Sequence, residues 1–351
     1  MKNLKKLVAL FMVLVFALSM AACSNGSGET NTDFTDWAKV EAAAKKEGKV
    51  TVYSNFPQDI EQGIFEEFGK HYGIDVEYIK IGGSVPTMNK YITEAENDEH
   101  VVDLIQMSSL TAATVAEKGY AAEIPAAMPN LKNLSPDFPA NDTFIPTVIE
   151  AIVIVYNTNM ITPEELPNTY EELTDPKYAG KWIIGSPENS ANTIKFMQGC
   201  KELYGEDFVT RLAGLDIMEV DKEVTAADLV AKGERPFAVM CQNAASVAIQ
   251  SGAPLSFKAM ETTFIGQNGI ILPYEAPHPN AARLLANWML GETHQGLFVD
   301  KVNAITTTTF DIAPKGIPAL ADMKTYSPDQ DAINQNSTAL MAEWRAAIGA
   351  N

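Results

Sequence analysis

KVTVYSNFPQDIEQGIFEEFGKHYGIDVEYIKI, residues 49–81, decides how this chain folds. KVTVYS is short and β-branched, as a buried strand is. A polar turn, NFPQDI, leads into EQGIFEEFGKHYG, where Ile64, Phe65 and Phe68 recur at helical spacing. IDVEYIKI then reads as a second strand. Strand, helix and strand in that order predict a parallel pair joined by a crossover helix.

The alternation extends in both directions. Upstream, VEAAAKKEG reads as a helix closed by Gly48. Downstream, GGSVPTMNKYITEAEN is a turn feeding a helix, VVDLIQM a strand, and SLTAATVAEKGY a helix ended by Gly119. The class is therefore α/β, with a doubly wound sheet flanked by helices. In such sheets ligands bind beyond the carboxyl ends of the strands. That rule singles out the turns at Ser54–Asn55, Gly82–Gly83–Ser84 and Ser108–Ser109.

IEAIVIVYNTN is a long apolar strand ending at Tyr156 and Asn157, followed by the Pro-studded surface segment ITPEELPNTYEELTDPKYAGKW. Next, WIIGSPENSANTIKF changes from strand to helix across Ser190, Asn192 and Thr193, residue types that cap helices or meet a ligand. FAVMCQNAASVAIQSG runs strand into helix through Gln242 and Asn243, and FIGQNGIILPY brings the chain back as a strand. The C-terminal part is helical, with amphipathic spacing. No repeat of 20 to 50 residues is present.

The first residues, MKNLKKLVALFMVLVFALSMAAC, join a lysine-bearing start to an apolar run and to Ala21–Ala22–Cys23. They resemble the leader of bacterial lipoproteins, which is cut before an acylated cysteine, with Met20 where leucine is usual. SNGSGETNTDFTDW then reads as a flexible tether. Net charge is −19, and cleavage before Cys23 would make it more negative. So acidic a chain is a poor partner for nucleic acid, although helix N-termini can still hold a local anion. Cys200 and Cys241 are open to two readings, a disulfide or buried free thiols, and their spacing offers no zinc pattern.

EGKVTVYSNFP, VIVYNTN, PNTYEELTDPKYAGKWIIGSPENSANT and EAPHPNAARLLANWMLGETHQ together resemble the extracellular solute-binding proteins of ABC importers. The branch they are most similar to contains binders of ferric iron, phosphorylated sugars and phosphonates. The resemblance implies a type II periplasmic-binding-protein fold: two α/β lobes, two crossing hinge strands, and a cleft that closes on its ligand. On that reading residues 1–22 are the leader, 23–36 the tether, 37–155 with 274–351 the first lobe and the C-terminal helices, and 156–273 the second lobe. Val153–Tyr156 and Ile270–Tyr274 are the expected hinges. The implied partners are a small anionic ligand, a permease with its ATPase, and the membrane through lipid on Cys23. A monomer with no cofactor and no resident metal is expected.

Iron binders of this branch use adjacent tyrosines. The corresponding stretch here, VMCQNAASV, has none, and SNFPQ stands where a histidine is usual. The expected ligand set is instead Ser54, Asn55, Phe56, Gly83, Ser84, Ser108, Ser109, Tyr156, Ser190, Asn192, Thr193, Gln242 and Asn243. Hydroxyls, amides and helix N-termini suit phosphate, phosphonate or carboxylate. Phe56 and Tyr156 offer faces for an organic ring, although core packing competes for Phe56. His71, His100, His278 and His294 read as structural. The sequence carries no G-x-S-x-G or H-E-x-x-H and no motif-spaced acid–His pair, so an exported hydrolase is disfavoured.

Overall fold

The computed structural model describes residues 33–348; the leader, Cys23 and the tether through residue 32 lie outside them. Among the described residues no helix is long and apolar enough to cross a membrane. Helix α1 (Trp37–Glu47) ends at Gly48, whose φ of 67° is a left-handed position where glycine avoids a Cβ clash. Strands β1 (Lys49–Ser54) and β2 (Asp75–Lys80) pair in parallel, from Lys49 opposite Asp75 to Ser54 opposite Lys80, with α2 (Gln58–Tyr72) as the crossover. Helix α3 (Ser84–Glu96), β3 (Leu104–Ser108) and α4 (Ser109–Glu117) continue the winding, β3 lying parallel to β1.

Side-chain alternation covers both faces of this half-sheet. Val50, Val52 and Leu104 enter one buried cluster with Ile64, Phe65 and Phe68, whereas Tyr53, Ile105 and Met107 enter another under α3 and α4. Burial on both faces explains why the strands read as near-continuous apolar runs.

Strand β4 (Ile145–Asn157) carries the sheet into the second half, where β5 (Trp182–Gly185), α5 (Ala191–Tyr204), α6 (Phe208–Arg211), β6 (Met218–Val220), α7 (Glu223–Lys232), β7 (Phe237–Cys241), α8 (Ser246–Gln250) and β8 (Leu255–Lys258) follow. Strand β9 (Thr263–Ile271) returns, ahead of α9 (Pro279–Met289), α10 (Glu292–Val302), β10 (Ile305–Thr306), β11 (Thr325–Tyr326) and α11 (Gln330–Ile348). The strand order is β2-β1-β3-β9-β4-β7-β5-β6. β4 and β9 therefore cross between two lobes.

The hinge lies a few residues from the expected positions. β4 pairs with β9 from Ile145 to Ala151 and with β7 from Ile152 to Tyr156, so the change of partner falls between Ala151 and Ile152. Val153–Tyr156 is already inside the second lobe. On β9, Ile270 and Ile271 pair with β3 in the first lobe, and the crossing is at Ile265–Gly266. An apolar strand buried along its whole length gives no sign in its sequence of where its neighbour changes.

Helix α11, expected with the first lobe, packs on α5 and α6 of the second. Ile333, Leu340 and Trp344 join the core cluster of Trp182, Phe196 and Phe208. Gly199 of α5 makes room for the segment before α11, since a Cβ there would come within 2.7 Å of Pro328. Cys200 and Cys241 are both buried and free, so the disulfide reading falls.

Candidate functional site

Two adjoining compartments, of about 810 and about 320 Å³, open between the lobes and share Glu150 and the turn Asn189–Asn192. The first lobe contributes three strand-end turns, at Asn55–Pro57, Gly83–Pro86 and Ser108–Thr111. Ser84 ties them together. Its Oγ accepts from Asn55 Nδ2 at 3.1 Å and from the backbone N–H of Ser108 at 3.0 Å. Neither α3 nor α4 has a side-chain cap, so their first-turn N–H groups carry the positive end of each helix dipole to the cleft.

Ser54 lies beneath this wall rather than on it. Its Oγ donates to Glu61 at 2.7 Å and accepts from Phe56 N at 3.0 Å. Gln106 Nε2 also donates to Glu61, at 2.5 Å. Burial pushes the Glu61 carboxyl up to about 7. Phe56 lines the smaller compartment with an edge while its ring packs on Phe298, centroids 5.1 Å apart.

The second-lobe wall is the turn SPENSAN, residues 186–192, and its polar side chains are committed within the protein. Ser190 Oγ caps Thr193 N and donates to Glu223 at 2.8 Å, and Asn192 Nδ2 reaches the same carboxylate at 3.3 Å. Asn189 Nδ2 donates to Asp221 at 2.6 Å. Glu223 also accepts from Cys241 N, and enclosure of its carboxylate raises its pKa. Asn243 stands on the rim of the smaller compartment.

Besides Ser54, three expected contacts are not at the cleft. Tyr156 pairs with Phe237 on the sheet and is buried in the second-lobe core, because strand alternation turns it away from the opening. Thr193 is buried, its hydroxyl donating to Gly185 O at 2.8 Å. Gln242 is fully buried and binds the hinge backbone. Asn55, Phe56, Gly83, Ser84, Ser108, Ser109, Ser190, Asn192 and Asn243 all line one or both compartments.

Sequence reasoning missed the charged groups. Glu150, on β4 opposite Gly266 of β9, faces both compartments from the floor. Lys195 of α5 reaches over the same strand, its ammonium occupying the space that a Cβ on Gly266 would need. Lys80 and Lys222 line the smaller compartment. Among the described residues no carboxylate lies within ion-pair distance of Lys80, Lys195 or Lys222. Lys195 was within reach of a sequence argument, since Ala191 and Lys195 lie one turn apart on the same helix face. Arg345, remote in sequence, arrives at the second-lobe wall through α11, where it pairs with Glu188. No tyrosine or histidine lines either compartment among the described residues.

Residues 47–296 match the model of the bacterial extracellular solute-binding protein family. The chain belongs to that family. This solute-binding protein is 22% identical over 332 residues to the spermidine/putrescine-binding periplasmic protein of Escherichia coli, covering 89% of this chain and 90% of that one. It is similar to iron-bound HitA from Pseudomonas aeruginosa, with a TM-score of 0.69 and 18% identity, over 85% of this chain and 99% of that one. It is equally similar to AfuA from Actinobacillus pleuropneumoniae with exogenous fructose-6-phosphate bound: TM-score 0.68, 20% identity, 87% of this chain and 99% of that one. At such identities the likeness to solved structures speaks for the fold, which is that of the type II periplasmic binding proteins. The family is one of extracellular binding proteins for ABC importers rather than of enzymes.

Proposed function

We propose that this solute-binding protein captures a small organic anion, such as a phosphorylated sugar or a phosphonate, between its lobes and delivers it to an ABC permease. In this reading lipid on Cys23 holds it at the outer face of the cell membrane. The observation that carries the anion is Lys195, an ammonium on the cleft floor with no carboxylate partner among the described residues, in a compartment that the uncapped N-termini of α3 and α4 also reach. Dipoles and a cation together hold an anion even within a strongly acidic protein. A cleft of about 810 Å³ suits a sugar-sized solute. Bare ferric iron needs anionic oxygens converging on one point, whereas Glu188 and Glu223 already accept hydrogen bonds from the protein.

A cationic solute is the second reading. It is favoured by Glu150, whose carboxylate among the described residues accepts only from Asn268 Nδ2, at 3.4 Å, and by the polyamine named for the Escherichia coli relative. One experiment separates the two. Thermal unfolding of the purified protein is followed with fructose 6-phosphate, methylphosphonate, succinate, spermidine and ferric citrate. A ligand at a hundredfold excess over its dissociation constant stabilises the folded state by about 2.7 kcal/mol. A rise in Tm with phosphate or phosphonate compounds is expected. A rise with spermidine or ferric citrate alone overturns the anion reading.

A further inference from the structure

Helix α11 is a wall of the cleft as well as part of the second-lobe core. Asn334, Ser337 and Met341 line the larger compartment, while Leu340 and Trp344 are buried on the adjoining face of the helix. Trp344 Nε1 donates to Glu219 at 2.5 Å and fixes the last turns. The next residue, Arg345, then spreads its guanidinium over the edge of the SPENSAN turn. Nε donates to Glu188 Oε1 at 2.8 Å, Nη2 to Glu188 Oε2 and to Ser186 Oγ, and Nη1 to Glu219 at 2.8 Å.

Glu188 lines the larger compartment and keeps 41% of its side chain exposed. Unpaired, this carboxylate would project negative charge into the space where Lys195 offers positive charge. A bidentate guanidinium is the side chain best matched to cancel a carboxylate while leaving it in place. We propose that Arg345 masks Glu188 and thereby sets the sign of the solute that the cleft accepts. The inference rests on the anion reading above and assigns specificity to a residue 157 positions away in sequence from the carboxylate it controls. The pairing leaves a mark of its own: hydrogen bonds from Arg345 and Ser186 hold the Glu188 carboxyl down at about 2.

Titration calorimetry with fructose 6-phosphate, methylphosphonate and succinate tests the proposal on the wild type, Arg345→Met, and Arg345→Met with Glu188→Gln. Methionine keeps an unbranched apolar stem and removes the charge. Affinity for the anion should fall about tenfold in the single variant, more at low salt than at high. The double variant should recover to within about threefold of the wild type, because the cleft-lining carboxylate that Arg345 masks is gone, and Glu219, its other partner, does not line the compartment. An unchanged affinity in Arg345→Met overturns masking. So does a double variant as weak as the single one, which would mean that Arg345 shapes the turn instead.

A second measurement needs no ligand. In a carbon-13 carboxyl titration Glu188 should sit far below the ordinary glutamate range in the wild type and return to it in Arg345→Met; an ordinary value in the wild type overturns the proposal. A wild type that binds spermidine and none of the three anions fails the anion reading, and masking then requires Arg345→Met to bind spermidine more tightly. Equal spermidine affinity in the two proteins would overturn masking as well.

Discussion

Gln242 grips Ala151 where the crossing strand changes lobes, its Oε1 accepting the Ala151 N–H at 2.7 Å while its Nε2 donates to Ile149 O at 3.0 Å. One side chain from the end of β7 thus closes the hydrogen bonding of the hinge backbone on both sides of Glu150. Gln242→Leu fills a similar volume and leaves a buried N–H and a buried C=O without their partner. Each such group costs about 1–3 kcal/mol, so urea unfolding should show a loss of at least about 2 kcal/mol. A loss below about 0.5 kcal/mol, the range of an inconsequential surface change, would mean that the hinge is held by other means.

Gly266→Ala places a methyl group where the Lys195 ammonium now sits. The obstacle is the far end of a flexible side chain, so stability should change by less than about 1 kcal/mol. Anion affinity should fall, and Lys195→Met should lower it by a similar factor. Because both changes remove the same ammonium, the double variant should lose little more than either single one. Full additivity would dissociate Lys195 from the glycine.

Glu61 makes stability depend on pH. Its ordinary value is 4.5, and in the folded protein it is raised to about 7. Between those values the folded state binds the extra proton, so this group's contribution falls as pH rises through the window and stays low above it. Glu61→Gln removes the effect. Relative to the wild type, the variant should gain on the order of 1–3 kcal/mol between pH 5 and pH 8 in urea unfolding. Parallel pH profiles for the two proteins would show that Glu61 ionises in the fold without penalty.

Cys200 and Cys241 are enclosed thiols, and burial pushes both pKa values well above the ordinary thiol range. Thiolate is the reactive form. A thiol reagent should leave both unmodified in native protein and modify both after denaturation. Rapid labelling of either in the folded state would contradict the packing around it.

The first lobe was legible because each of its signals was local. Gly48 and Gly73 end helices where the spacing of Val40, Ala44, Ile64, Phe65 and Phe68 runs out, and β1 to β3 are set by alternation. The strand-end rule reached Asn55, Ser84 and Ser108 because in a parallel sheet the carboxyl end of a strand is also the start of the next helix. It failed where a side chain's direction mattered. Tyr156 and Thr193 sit in the right segments but point inward, and neither a phenol at a strand end nor a hydroxyl in a helix's first turn carries a sign of which way it turns. The lysines and glutamates of the cleft were hidden for a different reason. A charged residue on a helix or strand reads as solvated surface until a second lobe stands opposite it, and that opposition exists only in the tertiary fold. Arg345 is the extreme case, since the helix that carries it was placed with the wrong lobe.

β4 runs from Ile145 to Asn157 without interruption and passes from one set of ladder partners to the next within a single peptide step. Its one register shift against β9, between Pro146 and Val148, lies inside the first-lobe portion, and nothing at the crossing itself resembles a joint. With β9 and β10 on one portion and β7 and β8 on the other, the strand is clamped at both ends like a torsion bar. Motion of the lobes must then be taken up as altered twist shared over several residues, with the ladders intact. Such a coupling is springy rather than loose: it returns the lobes to one preferred gape, and a solute that draws them together must supply the work of winding it.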